Sequence, residues 1–313
     1  MNKNRERKQL LAPIKNINRV LLISIVLFFI VGIVAGAAIP YITISKKLSI
    51  CLLEITSYMA LGLPIIIFSR LNLNGSKDVM LPKFNLKTLR NGAVCAIIAY
   101  PLMLTATYFA KTTELRSEMT SEQITSSLAG FSFLGNVIRM ALLPAVVEEL
   151  VFRCGLLGIY SKKNVLVGIF LSSSIFALLH GNLYQIPYAF VGGIAFAYAT
   201  YITGNSGTAI VSHFIINLVS IITSYANGIF NKYYPEKTDL IEGVVTGLWM
   251  AVGVLVSGYL LTKVLKKQVI PRSLRLKEYN LELSSFVTVS LAFVISILLF
   301  LTFLYEGYMS ITA

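Results

Sequence analysis

Nine long apolar stretches separated by shorter polar segments make up the hydrophobicity pattern of the chain. They lie at residues 20–41, 49–69, 91–110, 133–158, 165–180, 186–203, 208–226, 243–264 and 284–305. A helix needs about 20 apolar residues to cross a bilayer core, and most of these stretches approach that length, although the fifth is short. The pattern predicts an all-α fold, a polytopic transmembrane helix bundle with about nine spanning helices.

Composition supports the same fold class. The chain has 313 residues, of which 56% are hydrophobic and 13% are charged, and its mean hydropathy is +0.76. These values exclude a soluble domain with a large core. We divide the chain into a basic segment (1–19), N-terminal transmembrane helices (20–132), core helices (133–226) and C-terminal transmembrane helices (227–313).

The formal net charge of +13 comes from Lys and Arg concentrated in alternate loops. If the N-terminus is inside, the inner loops hold 18 of these residues and the outer loops hold 6. Because cytoplasmic loops carry the positive excess, the split predicts a cytoplasmic N-terminus, an outside C-terminus and a plasma-membrane location. The cations then serve as anchors at the lipid surface, and no nucleic-acid partner is expected.

Several polar residues interrupt the apolar stretches. Glu148, Glu149 and Arg153 lie in the fourth stretch, and the only two histidines, His180 and His213, lie in the fifth and seventh. An ionised side chain at the centre of a spanning helix costs about 2.5–3.5 kcal/mol. These groups are therefore expected to face protein or a wet cavity rather than lipid.

Helix geometry separates the roles of the two glutamates. Adjacent residues point about 100° apart, whereas residues four apart share a face. Glu149 and Arg153 can therefore pair, which leaves Glu148 available to a cavity. By the same spacing, Phe176 lies on the face of His180, and Asn217 lies on the face of His213. The Asn217 amide can fix a tautomer of His213, hold a water or donate to an oxyanion.

A carboxylate and two imidazoles that converge in a pocket have two chemical uses. Glu148, His180 and His213 can hold one divalent metal, such as zinc, with an open position for water. Alternatively, Glu148 acts as a general base without metal, His180 orients the water, and His213 with Asn217 stabilises the oxyanion. Both arrangements would catalyse hydrolysis. Glu54 and Arg139, near the starts of their stretches, are expected to reach the interface by snorkelling.

Three motifs in this order resemble those of the CPBP family of intramembrane proteases. They are Glu148-Glu149-x-x-x-Arg153, Phe176-x-x-x-His180 and His213-x-x-x-Asn217. The family includes type II CaaX prenyl endopeptidases and bacterial members linked to bacteriocin processing or self-immunity. The resemblance implies a catalytic core of four helices, water activation by Glu148 and His180, and oxyanion binding by His213 and Asn217. It assigns Glu149 and Arg153 a structural role.

The expected partners are the lipid bilayer and a hydrophobic or lipidated peptide or protein substrate near the cytoplasmic face. The main alternative is a non-catalytic membrane scaffold or bacteriocin immunity protein. A proton-coupled transporter is the second alternative, because buried Glu and His residues also relay protons. Against it, the chain shows no matching pair of Gly- or Pro-interrupted helices. The cysteines Cys51, Cys95 and Cys154 are expected to be packing residues.

Overall fold

The structure, a computed structural model, shows a bundle of helices. It describes residues 3–38, 41, 45–73, 80–112, 128, 130–161, 164–181, 185–234, 244–245, 247–248, 251–252 and 255. This part of the chain has no β-strand. Its main helices are α1 (Lys3–Ala38), α2 (Lys46–Leu73), α3 (Leu86–Thr112), α4 (residues 133–160), α5 (Val165–Leu178), α6 (Ile186–Thr203) and α7 (Gly207–Tyr233).

The first seven predicted apolar stretches each coincide with one of these helices, so the all-α membrane bundle is confirmed. Among the described residues, five helices are long and apolar enough to cross a membrane, over Asn16–Ala38, Lys47–Phe68, Leu86–Thr107, Ile186–Thr203 and Gly207–Phe230. The predicted stretch at 284–305 lies outside the described residues, as does most of the stretch at 243–264. Helix α1 starts at Lys3 and runs without a break from the basic segment into the first span.

Helix α4 alternates between α-helical and wider π-helical turns. Two π-helical segments, Val137–Leu142 and Leu150–Leu157, flank a short α-helical segment, Leu143–Glu149. The first lies directly before Pro144, which lacks the N–H that an α-helical turn would use at that point. Such π-helical segments are frequent at functional sites. Here they enclose the segment that ends in the two glutamates.

Glycines let α6 and α7 approach their neighbours closely. A methyl group on Gly92 of α3 would lie 2.5 Å from Val211 of α7, which is too close for any side chain. The absence of a side chain at Gly92 therefore lets α3 and α7 pack closely. On α6, a methyl group on Gly193 would lie 3.1 Å from Ser173 and 3.2 Å from Phe176, both on α5. Small residues permit this kind of packing between membrane helices. The approach at Gly193 brings α6 beside the charged residues of α4.

The predicted inner segments meet at one end of the bundle, which we call the basic end. The Tyr160 hydroxyl donates to Asn18 Oδ1 at 2.6 Å and joins α4 to α1. Asn205, in the turn between α6 and α7, accepts from the backbone N–H of Lys83 at 2.8 Å and donates to its carbonyl at 2.9 Å. Met80 packs near Val165 at the start of α5. One membrane orientation therefore places on the same side the four predicted inner segments that the structure describes at least in part, at 1–19, 70–90, 159–164 and 204–207. The fifth predicted inner segment, 265–283, lies outside the described residues.

The opposite end of the bundle, the distal end, is joined by a separate set of contacts. Asn136 Nδ2 donates to the Leu128 carbonyl and to the Tyr225 hydroxyl, both at 2.9 Å. The rings of Phe133 and Tyr225 meet edge to face, with centroids 5.5 Å apart. The start of α4 thus packs against the C-terminal half of α7. Which face of the membrane each end occupies stays a prediction.

Candidate active site

A cavity of about 380 Å³ lies among the helices, and all four predicted catalytic residues line it. Glu148 enters from α4, His180 from the end of α5, and His213 and Asn217 from α7. The three motifs are therefore brought to one place, as the sequence predicts.

The Glu148 carboxylate is held at one oxygen, while the other has no protein partner. The Tyr58 hydroxyl, from α2, donates to Glu148 Oε1 at 3.3 Å. Oε2 is buried and has no hydrogen-bond partner among the described residues. A buried carboxylate oxygen without a partner is costly in a protein interior. Oε2 is consequently the atom of this side chain that can accept a proton from a bound molecule.

Glu149 lies between Arg153 and His213 and contacts both side chains. Its Oε2 lies 3.0 Å from Arg153 Nε, and its Oε1 lies 3.0 Å from His213 Nδ1. Glu149 and Arg153 are both fully buried. The pair predicted from the four-residue spacing is present, but the contact with His213 was not predicted. Glu149, rather than Asn217, bonds the Nδ1 atom of His213.

Arg153 is enclosed by aromatic rings. Its guanidinium carbon lies 4.8 Å from the ring centroid of Phe176, 5.8 Å from that of Phe196 and 5.9 Å from that of Phe152. Nη2 also donates to the Gly193 carbonyl at 3.3 Å. The electron-rich ring faces attract the cation, so its burial is compensated by them as well as by Glu149.

Backbone and ring contacts orient the two histidines. His180 Nδ1 lies 2.9 Å from the Phe176 carbonyl oxygen, which can only accept, so Nδ1 carries the proton. In neutral His180, Nε2 is then an acceptor. The Phe176 ring packs edge-on against His180 at 4.9 Å, and the Phe196 ring stacks on His213 at 5.2 Å. Phe176 thus supports His180 both through its carbonyl and through its ring.

Glu54 and Arg139 also line the cavity, so the expectation that they snorkel to the interface is wrong. They form an ion pair between α2 and α4. Only 9% of the Arg139 side chain is exposed, and its guanidinium lies 4.5 Å from the Phe131 ring centroid. The sequence does not show that α2 and α4 are neighbours, so it does not predict that Glu54 and Arg139 pair with each other.

Within the described part of the chain, no three His, Cys, Asp or Glu side chains form a ready-made group around one ion position. The predicted cofactor, none or one divalent metal held by Glu148, His180 and His213, is tested by metal analysis of the purified protein. Cys51, Cys95 and Cys154 all lie within the described residues, and none of them forms a disulfide.

Residues 130–219 match the family model described as Type II CAAX prenyl endopeptidase Rce1-like. This Rce1-like segment covers 90 of the 313 residues. The match confirms the family resemblance of the three motifs. Comparisons with curated proteins and with solved structures give no match.

The Rce1-like segment contains the whole predicted site but not all of the cavity wall. It starts after α2, which supplies Glu54 and Tyr58. Sequence analysis missed Tyr58 as a site residue. The only signal was its spacing of four residues from Glu54, which places two polar groups on one face of an apolar helix.

Proposed function

We propose that the protein is an intramembrane endopeptidase that hydrolyses a peptide bond in a hydrophobic or lipidated, membrane-associated peptide or protein. The observation that carries the proposal is that Glu148, His180, His213 and Asn217 line the same cavity. Together these groups can hold a water, remove its proton and stabilise the charge that develops on a carbonyl oxygen.

Glu148 is the general base of this mechanism. Its Oε2 takes one proton from the water while the water oxygen forms a bond to the peptide carbonyl carbon. The second O–H of the same water stays intact and donates a hydrogen bond to Nε2 of His180, which aims the lone pair of the water oxygen at the carbonyl carbon. When the tetrahedral intermediate collapses, Glu148 returns its proton to the leaving nitrogen, and the C–N bond breaks.

His213 and Asn217 bind the oxyanion. The Asn217 amide donates hydrogen bonds without any change of charge. When His213 is protonated, Nδ1 donates to Glu149 and Nε2 donates to the oxyanion. Glu149 fixes the orientation of the His213 ring through Nδ1, while Arg153 balances the negative charge of Glu149. The residues assigned a structural role thus act on the chemistry through His213.

Replacing Asn217 tests the oxyanion assignment and the proposed function together. We expect Asn217→Ala to lower kcat by about 10²-fold with little change in KM, because the lost donor acts mainly on the transition state. Purified protein in liposomes is given a set of hydrophobic peptides in ¹⁸O-labelled water. Hydrolysis places one ¹⁸O atom in the new carboxylate, which mass spectrometry detects.

The matched control is Asn227→Ala, which makes the same change farther along α7 and outside the cavity lining. It should cleave at the wild-type rate. A transporter or a non-catalytic scaffold would show no ¹⁸O incorporation with either variant or with the wild type. That result, with folded protein and a broad peptide set, would overturn the proposal.

Tyr58→Phe tests whether α2 belongs to the catalytic machinery. Losing the hydrogen bond to Glu148 Oε1 should let the carboxylate rotate, and we expect kcat to fall about tenfold with KM nearly unchanged. Steady-state kinetics of peptide cleavage measure both constants. Tyr160→Phe is the control, since it also removes a hydroxyl that joins two helices, but Tyr160 is not among the residues that line the cavity. Equal activity in the two variants would contradict the role of Tyr58.

A further inference from the structure

A chain of polar contacts joins three helices beside the cavity, at the distal end of the bundle. Arg139 of α4 forms an ion pair with Glu54 of α2, and its Nη2 donates to Asn136 Oδ1 at 3.1 Å. Asn136 Nδ2 donates in turn to the hydroxyl of Tyr225 on α7 at 2.9 Å. We call these four residues the distal clamp. Its two outer members, Glu54 and Tyr225, lie outside the Rce1-like segment.

The central members of the distal clamp have defined orientations. The Arg139 guanidinium can only donate, and the Leu128 carbonyl, which also receives a hydrogen bond from Asn136 Nδ2 at 2.9 Å, can only accept. The Asn136 amide therefore fits in one orientation, with its oxygen toward Arg139. Asn136 is fully buried, and the Phe131 ring centroid lies 4.5 Å from the guanidinium carbon. Because water has little access here, hydration does not replace a bond that a variant loses.

The outer helices of the distal clamp also carry groups of the proposed reaction. Glu54 is one turn before Tyr58 on α2, and the Tyr58 hydroxyl donates to the Glu148 carboxylate. Tyr225 lies about two turns beyond Asn217 on α7. The general base is thus supported from α2, whereas the oxyanion donors come from α7. The distal clamp ties these two halves of the site together.

Helix α7 is held against α4 by polar contacts at two heights. Glu149 contacts His213 in the second turn of α7. A helix fixed at one such point can still turn or tilt about it. The bond from Asn136 to Tyr225 supplies a second point, about three turns farther along. Asn217 lies between the two points, so both are needed to define where its amide stands relative to the general base.

We infer that Arg139 is a positioning residue of the proposed endopeptidase, acting through the distal clamp to set the distance between the Glu148 carboxylate and the Asn217 amide. The inference rests on the proposed function. The base, the water, the peptide carbonyl and the oxyanion donor must be in contact at once, and a misplacement of about 1 Å can cost about 10²-fold in rate. In this role Arg139 touches neither the substrate nor the water.

A kinetic cycle tests this role in the full-length chain in liposomes. We expect Arg139→Gln to lower kcat for peptide cleavage about 30-fold with KM nearly unchanged. In the Asn217→Ala background the same substitution should cost less than about tenfold, because the amide that it misplaces is already absent. A merely structural role would give the same factor in both backgrounds.

Tyr225→Phe gives a milder test if Arg139→Gln does not fold. It removes only the hydroxyl at the end of the distal clamp and keeps the ring that packs against Phe133. We expect kcat to fall about threefold to tenfold. The matched control is Tyr233→Phe, which removes an exposed hydroxyl from the same helix and should cleave at the wild-type rate.

Three results would overturn the inference. A higher KM with kcat retained in Arg139→Gln would show that Arg139 binds the substrate directly. Equal factors with and without Asn217→Ala, or a lower unfolding midpoint with kcat per folded molecule retained, would show a structural role alone. Wild-type kinetics in Tyr225→Phe would show that the contact with α7 does not position the site.

A second arm needs no catalysis and separates this inference from the proposed function. Spin labels at Leu52→Cys on α2 and Ile229→Cys on α7, both exposed positions, report the distance between the helices in a chain whose native cysteines are replaced by alanine. We expect the distance distribution to broaden in Arg139→Gln and to stay unchanged in Tyr233→Phe. Broadening in a protein that hydrolyses no peptide would reject the proposed function alone. Hydrolysis with an unchanged distribution in Arg139→Gln would reject the distal clamp alone.

Discussion

Glu148→Gln is expected to lower kcat for peptide hydrolysis by about 10³-fold, within the range that a general base contributes. The amide has nearly the same shape as the carboxylate, and its oxygen can still accept from the Tyr58 hydroxyl. It cannot take a proton from water. Substrate affinity should therefore persist while the chemical step fails, and single-turnover cleavage with a separate peptide-binding measurement distinguishes the two.

Glu148→Asp is the companion variant. It keeps a carboxylate of ordinary basicity but withdraws it by one methylene, so its rate should fall between those of the wild type and Glu148→Gln. If Glu148→Gln cleaves at the normal rate, the general-base assignment is wrong. A loss of peptide binding in Glu148→Gln would instead show that the residue recognises the substrate.

Arg153→Met is expected to lower the free energy of unfolding by about 3–5 kcal/mol, because it leaves the Glu149 carboxylate buried without its cation. Methionine fills much of the same volume, so the change is mainly electrostatic. Neither Arg153 nor Glu149 has any solvent exposure, so water cannot hydrate the carboxylate once its cation is removed. Thermal unfolding of the purified protein in detergent measures the loss as a lower midpoint.

The double variant Arg153→Met with Glu149→Gln keeps this prediction testable if the single variant does not fold. Removing both charges should restore part of the stability, so the two substitutions are strongly non-additive. The double variant should cleave more slowly than the wild type even where its stability is restored, since His213 loses its carboxylate partner. Equal midpoints for Arg153→Met and the wild type would contradict the burial of this ion pair.

The helices and the set of site residues could be predicted because they depend on local information. Apolar runs located α5 and α6 to within a few residues, since a bilayer fixes the length of a crossing helix. The four-residue spacing predicted that Glu149 would pair with Arg153. The motifs could be expected to meet because ionisable side chains in apolar helices must share an interior.

Contacts between distant helices could not be predicted in the same way. Tyr58 and Glu148 are 90 residues apart, and His213 and Glu149 are 64 residues apart. Membrane helices such as α5 are apolar on all sides, so their pattern does not show which face meets which neighbour. The pairing of Glu54 with Arg139 was missed for this reason. The π-helical turns of α4 left no signal beyond Pro144.

The enclosure of Arg153 by three phenylalanine rings has a consequence for the medium in which the site operates. Mobile ions in the surrounding buffer screen charges that water can reach, but they have no route to this guanidinium. The electric field that Arg153 and Glu149 exert on His213 is therefore set by covalent structure and packing. Within lipid, where dissolved salt is scarce, the charges around His213 are therefore fixed charges of the protein itself.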